Sequence, residues 1–125
     1  MSLMFSLAYA TTQTSTPLTE LQKQQIGCIA SLAILADEQA RGVKGADTFT
    51  DVRITGRKWA GLTGDRIVFE SGLPPQVIAM AINTAADYDR NLIKLAPDHQ
   101  LAMGALEKRC VPMMTADLDA VSKRP

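Results

Sequence analysis

The chain is poor in the residue types on which most recognisable chemistry depends. Its 125 residues include one histidine, His99, and two cysteines, and aromatic residues make up 5% of the total. A single histidine provides neither a histidine cluster for a metal ion nor a credible Ser-His-Asp set. The sequence therefore predicts no catalytic residue, no metal and no cofactor.

An excess of charge of either sign is also missing. The 13 basic residues are balanced by 13 acidic residues, whereas proteins that bind nucleic acids usually carry a basic excess to neutralise phosphates. No apolar run reaches the length needed to span a membrane. We therefore predict no nucleic-acid partner and no membrane span.

What the chain does have is small aliphatic residues, which suit closely packed helices. The hydrophobic fraction of 46% is enough for the core of a single domain of this length. Because aromatic residues are scarce, that core must be built mainly from Ala, Leu, Ile, Val and Met. The composition favours an all-α fold, a single small domain of about four helices in a bundle-like arrangement.

The N-terminus resembles the remnant of a secretion signal. Residues 1–3 precede a second methionine, Met4, and the apolar run from Met4 ends in Ala8-Tyr9-Ala10 before a Thr-rich stretch. Small residues at Ala8 and Ala10 fit a signal-peptidase site with cleavage before Thr11, although a basic start and a full-length apolar region are missing. We interpret residues 1–15 as a leader, signal-peptide remnant and linker, and residues 16–125 as the helical domain. This predicts a periplasmic or secreted protein.

The first helix has the clearest signals. Thr19 and Gln22 are spaced as a capping box, although Thr16 followed by Pro17 is an alternative start. The helix should end near Gly42. Its expected inner face is Leu18, Leu21, Cys28, Leu32 and Leu35, widened by Ile26, Ile29, Ala30, Ala33 and Ile34. A face this wide predicts a central helix.

The segment from Thr50 to Ser71 is ambiguous. Residues 52–54 and 67–69 resemble short strands, and three glycines disfavour a helix. A helix is favoured because Val52, Trp59, Leu62 and Phe69, separated by seven, three and seven residues, keep a heptad-like stripe. In such a helix Gly56, Ala60 and Gly64 would form a flat ridge for a close neighbour.

Two further helices are predicted, one from Pro74-Pro75 to about Leu95 and one from Pro97 to about Cys110. The inner face of the third helix is expected to hold Ile78, Ala81, Ile82, Ala85, Leu92 and Leu95, with Asp87, Asp89, Arg90 and Lys94 mostly outside. The inner face of the fourth is expected to hold His99, Met103, Leu106 and Cys110. Pro112 should break or kink this helix, leaving residues 113–121 as a last turn or short helix.

The two cysteines fall on inward faces of the first and last of these helices. Two cysteines allow a single intramolecular pairing, so we predict a Cys28–Cys110 disulfide, with two buried free thiols as the alternative. Closing a loop of about 80 residues is worth roughly 4.5 kcal/mol in the chain-entropy model. The bond would fit an exported protein.

Residues 68–83 also resemble a helix-turn-helix, with Gly72 in the turn and Val77 and Ile82 as packing positions. Ser71 stands where an apolar residue normally packs, and the recognition helix would carry no Arg or Lys before Asp87. A DNA-binding module is therefore the weaker reading, and two packed helices joined by a glycine turn the stronger one.

We interpret the chain as a small exported, non-enzymatic module that binds an unknown protein or small ligand, with a homodimer as one arrangement. The alternative is a small secreted helical enzyme with a cleft of Arg, Lys and Glu side chains. The candidate binding residues are Arg53, Arg57, Lys58, Trp59 and Glu70. The enzyme hypothesis requires buried charge that converges on a pocket, and a solvated Arg57-Lys58 face would argue against it.

Overall fold

A computed structural model of the chain describes residues 17–123. The predicted signal remnant, residues 1–15, and the alternative cap at Thr16 lie outside this range. Within it, the helices are α1 (Glu20–Ala40), α2 (Thr55–Ser71), α3 (Pro75–Leu95) and α4 (His99–Ser122), with a short 3-10 helix at Ala46–Thr48. The described residues form no strand, so the predicted all-α fold is confirmed.

The helix α1 is central, as predicted, because it packs against each of the other three helices. Residues of α1, α2 and α4, together with Val52, form the main core, and α3 closes a smaller cluster with Ile26 and Ile67 around Ile78. None of the helices in residues 17–123 has a stretch apolar and long enough to cross a bilayer.

The two ends of α1 follow from local sequence. The Gln22 N–H donates to the Thr19 hydroxyl at 3.0 Å and the Thr19 N–H donates to the Gln22 side chain at 2.9 Å, which confirms the capping box. At the other end Gly42 has a φ of 70°, and the Val43 N–H donates to the Glu38 carbonyl at 2.9 Å. This Schellman-type ending requires a left-handed residue, which glycine adopts without strain.

The predicted inner face of α1 was wrong at two positions. Leu21 is 57% exposed and Ala33 is exposed, whereas Gln22 and Gln25 are buried. The reason is that three helices pack around α1. The buried side of α1 is therefore wider than the apolar stripe in the sequence, and it is rotated about the helix axis relative to that stripe. Buried Gln22 is satisfied by its capping contacts and by donating to Glu70 Oε1 at 3.2 Å.

The ambiguous segment is helical from Thr55 to Ser71, so the strand alternative was wrong, but residues 50–54 precede the helix, which begins five residues later than predicted. The predicted seven-residue stripe holds at Val52 and Trp59 but fails at Leu62 and at Phe69, which is 88% exposed. A strict seven-residue repeat drifts by about 20° per heptad around a straight α-helix. The buried face instead follows Gly56, Trp59, Thr63, Ile67 and Ser71.

The glycine ridge was correct at Gly56 and wrong at Gly64. A Cβ added at Gly56 would meet Val52 Cβ at 3.5 Å and Leu32 Cβ at 3.9 Å, so α2 approaches α1 closely there. At Gly64 an added Cβ would meet nothing within 4 Å. The helices α1 and α2 therefore touch at the start of α2 and not along the whole ridge.

The turn between α2 and α3 is the predicted glycine turn. Gly72 has a φ of 74° and its N–H donates to the Val68 carbonyl at 3.0 Å, while the buried Ser71 hydroxyl accepts from the Leu73 N–H at 3.1 Å. In a helix-turn-helix Val77 would pack inward, but it is 42% exposed.

The inner face of α3 is shorter than predicted. Ile78 is buried and Ala81, Ile82 and Ala85 are half-buried, but Leu92 and Leu95 are exposed. Ala86 is buried instead. The face of α3 that contacts α1 is rotated about the helix axis relative to the face that carries Leu92 and Leu95. Asp89, predicted outside, is half-buried.

The helix α4 continues through Pro112, so the predicted break was wrong. The loss of one backbone hydrogen bond at a proline is offset by packing beyond it, where Met114 is buried and Asp117 contacts α2. Of the predicted inner face, Met103, Leu106 and Cys110 are buried, but His99 is exposed and lies 2.9 Å from Glu38 Oε1.

The predicted disulfide is present. Cys28 and Cys110 are bonded, with their Cα atoms 5.2 Å apart, and both are buried within the main core. The bond joins the middle of α1 to the middle of α4 across 82 residues. It therefore fixes the first helix to the last.

Candidate functional site

A groove lies between α1 and the start of α2. Its volume is about 390 Å³, within the range of about 300–1,000 Å³ typical of small-molecule sites. From α1 it is lined by Ile29, Leu32, Ala33, Ala36, Asp37 and Ala40; from the α2 side it is lined by Arg53, Gly56, Arg57 and Ala60. The floor is apolar and the rim carries the charges. We refer to this feature as the α1–α2 groove.

The groove exists because small residues face each other across the two helices. Ala33, Ala36 and Ala40 recur at helical spacing along α1, and Gly56 and Ala60 are one turn apart on α2. The backbones come close at Gly56, where an added Cβ would stand 3.9 Å from Leu32 Cβ. Short side chains on both walls leave the space above this contact unfilled.

Most of the charge around the groove is already paired. Arg53 holds Asp51 with two bonds, Nε to Oδ1 at 3.0 Å and Nη2 to Oδ2 at 2.8 Å. These bonds, with the Arg53 N–H that also donates to Oδ1, lower the pKa of Asp51 to about 2. Asp37 accepts from Arg41 Nε at 2.8 Å.

Arg57 differs from these charged neighbours. Among residues 17–123 no carboxylate lies within salt-bridge distance of its guanidinium. It lines the groove and directly follows Gly56, the residue at which α1 and α2 come close together. Its guanidinium N–H groups are therefore available at this site to donate hydrogen bonds to a ligand.

The structure places the other sequence candidates apart from one another. Arg53 joins Arg57 at the groove, but Lys58 points to solvent outside it. Trp59 is buried in the core, where its Nε1 donates to Asp117 Oδ2 at 2.9 Å. Glu70, near the far end of α2, accepts from Gln22. Two of the five candidates therefore share one site.

The charges that the enzyme hypothesis required do not converge inside the protein. Arg53, Arg57, Lys58 and Glu70 are all exposed. The groove lining contains no Ser, Thr, Cys, His or Lys, and its single carboxylate, Asp37, is paired with Arg41. Among the described residues there is also no group of three or more His, Cys, Asp or Glu side chains placed to hold a metal ion.

A second cavity, of about 400 Å³, lies beside the disulfide and is lined in part by the side chains of Ser31, Asp89 and Arg109. Here the buried Ser31 hydroxyl donates to Asp89 Oδ2 at 2.5 Å and accepts from Arg109 Nη2 at 3.3 Å. Sequence reasoning missed this cluster because it placed Asp89 on the outer face of α3; the one available signal was a serine inside the apolar face of α1. These two hydrogen bonds join α1, α3 and α4 through the Ser31 hydroxyl.

No family model, curated protein or solved structure matches this chain. Any function must therefore be argued from the residues of the molecule itself. The α1–α2 groove is the stronger candidate, because it combines an apolar floor with a cation that has no partner in the described fold. Such an arrangement can hold the apolar part of a ligand against the floor and an anionic group at the rim.

Proposed function

We propose that the protein is an exported, non-enzymatic binding protein whose α1–α2 groove holds a small amphipathic anion, namely a carboxylate with an apolar chain. The observation that carries this proposal is the position of Arg57 at the rim of a small-residue groove without a carboxylate partner among the described residues. The apolar chain would lie along Ala33, Ala36 and Ala60.

An anion is the favoured ligand because of the charges at the rim. A guanidinium binds a carboxylate through two parallel hydrogen bonds, an arrangement stronger than bonds between neutral groups. Arg53 adds little, since Asp51 already neutralises it. Asp37 repels an anion only weakly, since it is paired with Arg41. Arg57 should therefore supply most of the charge recognition.

Binding without reaction is favoured by what the lining offers. The only titratable acid on the lining is Asp37, which is exposed and paired with Arg41. General acid–base catalysis needs a proton donor or acceptor held close to the reacting atoms. The lining offers no such group besides Asp37 and the arginines. Apolar side chains and an arginine can hold a ligand, and this is the activity we assign to the groove.

Export is supported by the disulfide. Disulfides persist in oxidising compartments and are rare in the cytosol of most organisms, and the Cys28–Cys110 bond is buried in the core. The bond thus supports our proposal of a periplasmic or secreted location. Intact-mass analysis of the native protein tests this, because export predicts a chain that begins at Thr11; a chain that retains Met4 would overturn the assignment.

The binding proposal is tested by calorimetry with dodecanoate, kept below its micelle-forming concentration, as the probe. Dodecyltrimethylammonium, with the same chain and the opposite charge, is the ligand control. Arg57→Gln should weaken dodecanoate binding about tenfold or more, since hydrogen bonds to charged groups are worth about 1.5–3 kcal/mol. Lys58→Gln, the adjacent change of equal charge outside the groove, should leave the affinity within about twofold.

A second pair of variants tests the apolar floor. Ala33→Phe should fill the groove and abolish binding, whereas Ala79→Phe, at an exposed alanine of α3, should not. Equal loss in Arg57→Gln and Lys58→Gln, or equal binding of the cationic detergent, would show non-specific adsorption and overturn the proposal.

A further inference from the structure

The helix α3 carries a second apolar stripe beside the face that packs against α1. Its large side chains are 42–80% exposed, and Thr84 lies among them at the centre. The stripe consists of Val77, Met80, Thr84, Tyr88, Leu92 and Leu95. Apolar side chains at helical spacing on the solvent side of a helix mark a surface for a partner. We call this surface the α3 stripe.

The spacing of the α3 stripe reads the same in both directions. Successive members are separated by three, four, four, four and three residues. If a second copy of α3 lies antiparallel across the stripe, Val77 faces Leu95, Met80 faces Leu92 and Thr84 faces Tyr88, and each pairing occurs twice. A twofold interface requires this kind of self-complementary patch.

We propose that the α3 stripe is the contact surface of a homodimer, with a second copy of this chain as its occupant. The five exposed apolar side chains present on the order of 500 Å², within the ~300–600 Å² of the largest apolar patch on a typical monomer. Two copies would bury about 1,000 Å² in total, at the lower limit for a specific interface. The dimer is therefore weak, with dissociation in the micromolar range or above.

The geometry of the contact follows from the ridge at its centre. Met80, Thr84, Tyr88 and Leu92 are four residues apart and form this ridge, and the pairing of Val77 with Leu95 at both ends requires the two copies of α3 to cross at a small angle of about 20°. The closest contacts then lie near Thr84 and Tyr88 of the two copies. Asp87 beside the ridge is paired with Arg90 of its own helix at 3.2 Å, so it brings no uncompensated charge to the twofold axis.

Sedimentation equilibrium of the full chain, from micromolar to millimolar concentration, tests the proposal. The wild type should show a reversible monomer–dimer equilibrium. Met80→Glu and Leu92→Glu should each weaken it at least about tenfold, because each buries unpaired carboxylates in the contact. Phe69→Glu is the matched control, since Phe69 is a large exposed apolar residue on α2 and should leave the equilibrium unchanged.

A wild type that stays monomeric at millimolar concentration overturns the proposal. A dimer that persists in both α3 variants, or that Phe69→Glu disrupts equally, also overturns it. Far-UV circular dichroism of each variant checks that these surface changes leave the fold intact.

The antiparallel register has its own test. Met80→Cys and Leu92→Cys chains are mixed and treated with a short bismaleimide linker. The mixture should give cross-linked heterodimers, whereas Met80→Cys alone should not, since its two copies would lie about 18 Å apart along the helices. Cross-linking of Met80→Cys with itself at equal yield would contradict the antiparallel pairing.

Discussion

The indole Nε1 of Trp59 donates a hydrogen bond of 2.9 Å to Oδ2 of Asp117. Trp59 is buried on α2, and Asp117 lies on α4 beyond Pro112. Arg66 of α2 reaches the same carboxylate oxygen at 3.2 Å. This contact holds the last turns of α4 against the bundle, and it gives the single tryptophan of the chain a structural role instead of a binding role.

Replacing Asp117 should therefore destabilise the fold. Asp117→Ala leaves the buried Trp59 N–H without its acceptor, which costs about 1–3 kcal/mol of unfolding free energy. Asp119→Ala, on the exposed side of the same helix, should change stability by less than about 0.5 kcal/mol. Urea unfolding measures both. Equal effects would show that the Trp59 bond contributes nothing specific.

The disulfide should contribute a large share of the stability. Removing a native disulfide from a small exported domain typically costs about 2–5 kcal/mol, and the total for such a domain is about 5–15 kcal/mol. Cys28→Ala with Cys110→Ala should therefore lower the melting temperature strongly, and wild type in reductant should approach the same value. Addition of reductant to the double variant is the control and should change nothing. A wild type with the same melting temperature in oxidising and reducing buffer would contradict the assigned bond.

Two glycine substitutions should have opposite signs. Gly45 has a φ of 87°, and a Cβ there would collide with the Gln100 side chain, so Gly45→Ala should destabilise by about 1–2 kcal/mol. Gly61 lies inside α2 with open space around an added Cβ, so Gly61→Ala should stabilise by up to about 1 kcal/mol. Chemical denaturation of the two variants beside wild type measures the difference. A Gly61→Ala variant less stable than wild type would contradict the open space assigned to that position.

The Asp51–Arg53 pair predicts a measurable titration. Arg53 lowers the pKa of Asp51 to about 2, and Arg53→Gln should return it toward the ordinary value of about 4. Because the folded-state pKa lies below the unfolded one, the contribution of this pair is present above about pH 4 and is lost as the pH falls toward 2. NMR titration of the Asp51 carboxyl in both proteins measures the shift. An unchanged pKa in Arg53→Gln would assign the shift to another cause.

Local signals in the sequence were sufficient for much of the fold. The capping box at Thr19, the glycine after α1 and the proline at the start of α3 each act within one helical turn, so these boundaries could be predicted. The disulfide followed because only one pairing is available and both cysteines lie on inward faces.

What the sequence could not give was the direction from which neighbouring helices pack. Leu21 and Phe69 are exposed, although apolar spacing placed them inside, because burial depends on which helix lies opposite. Pro112 was expected to break or kink α4, and the helix continues through it to residues that make tertiary contacts, such as that of Asp117 with Trp59.

The candidate site was predictable in part. The arginines before and within α2 were visible as charges beside small residues. The groove itself depends on how closely α1 and α2 approach at Gly56, and on which acidic residues neutralise Arg53 and Asp37. These are properties of the assembled fold.

The most direct test of the central claim is to map dodecanoate on the ¹⁵N-labelled wild-type protein by NMR. If the α1–α2 groove is the binding site, the amide signals of Ala33, Ala36, Gly56 and Ala60 shift in a saturable way, while those of Gly104 on α4 stay fixed. Shifts centred on the α3 stripe or on the cavity at Ser31, or no saturable shift at all, would contradict the account.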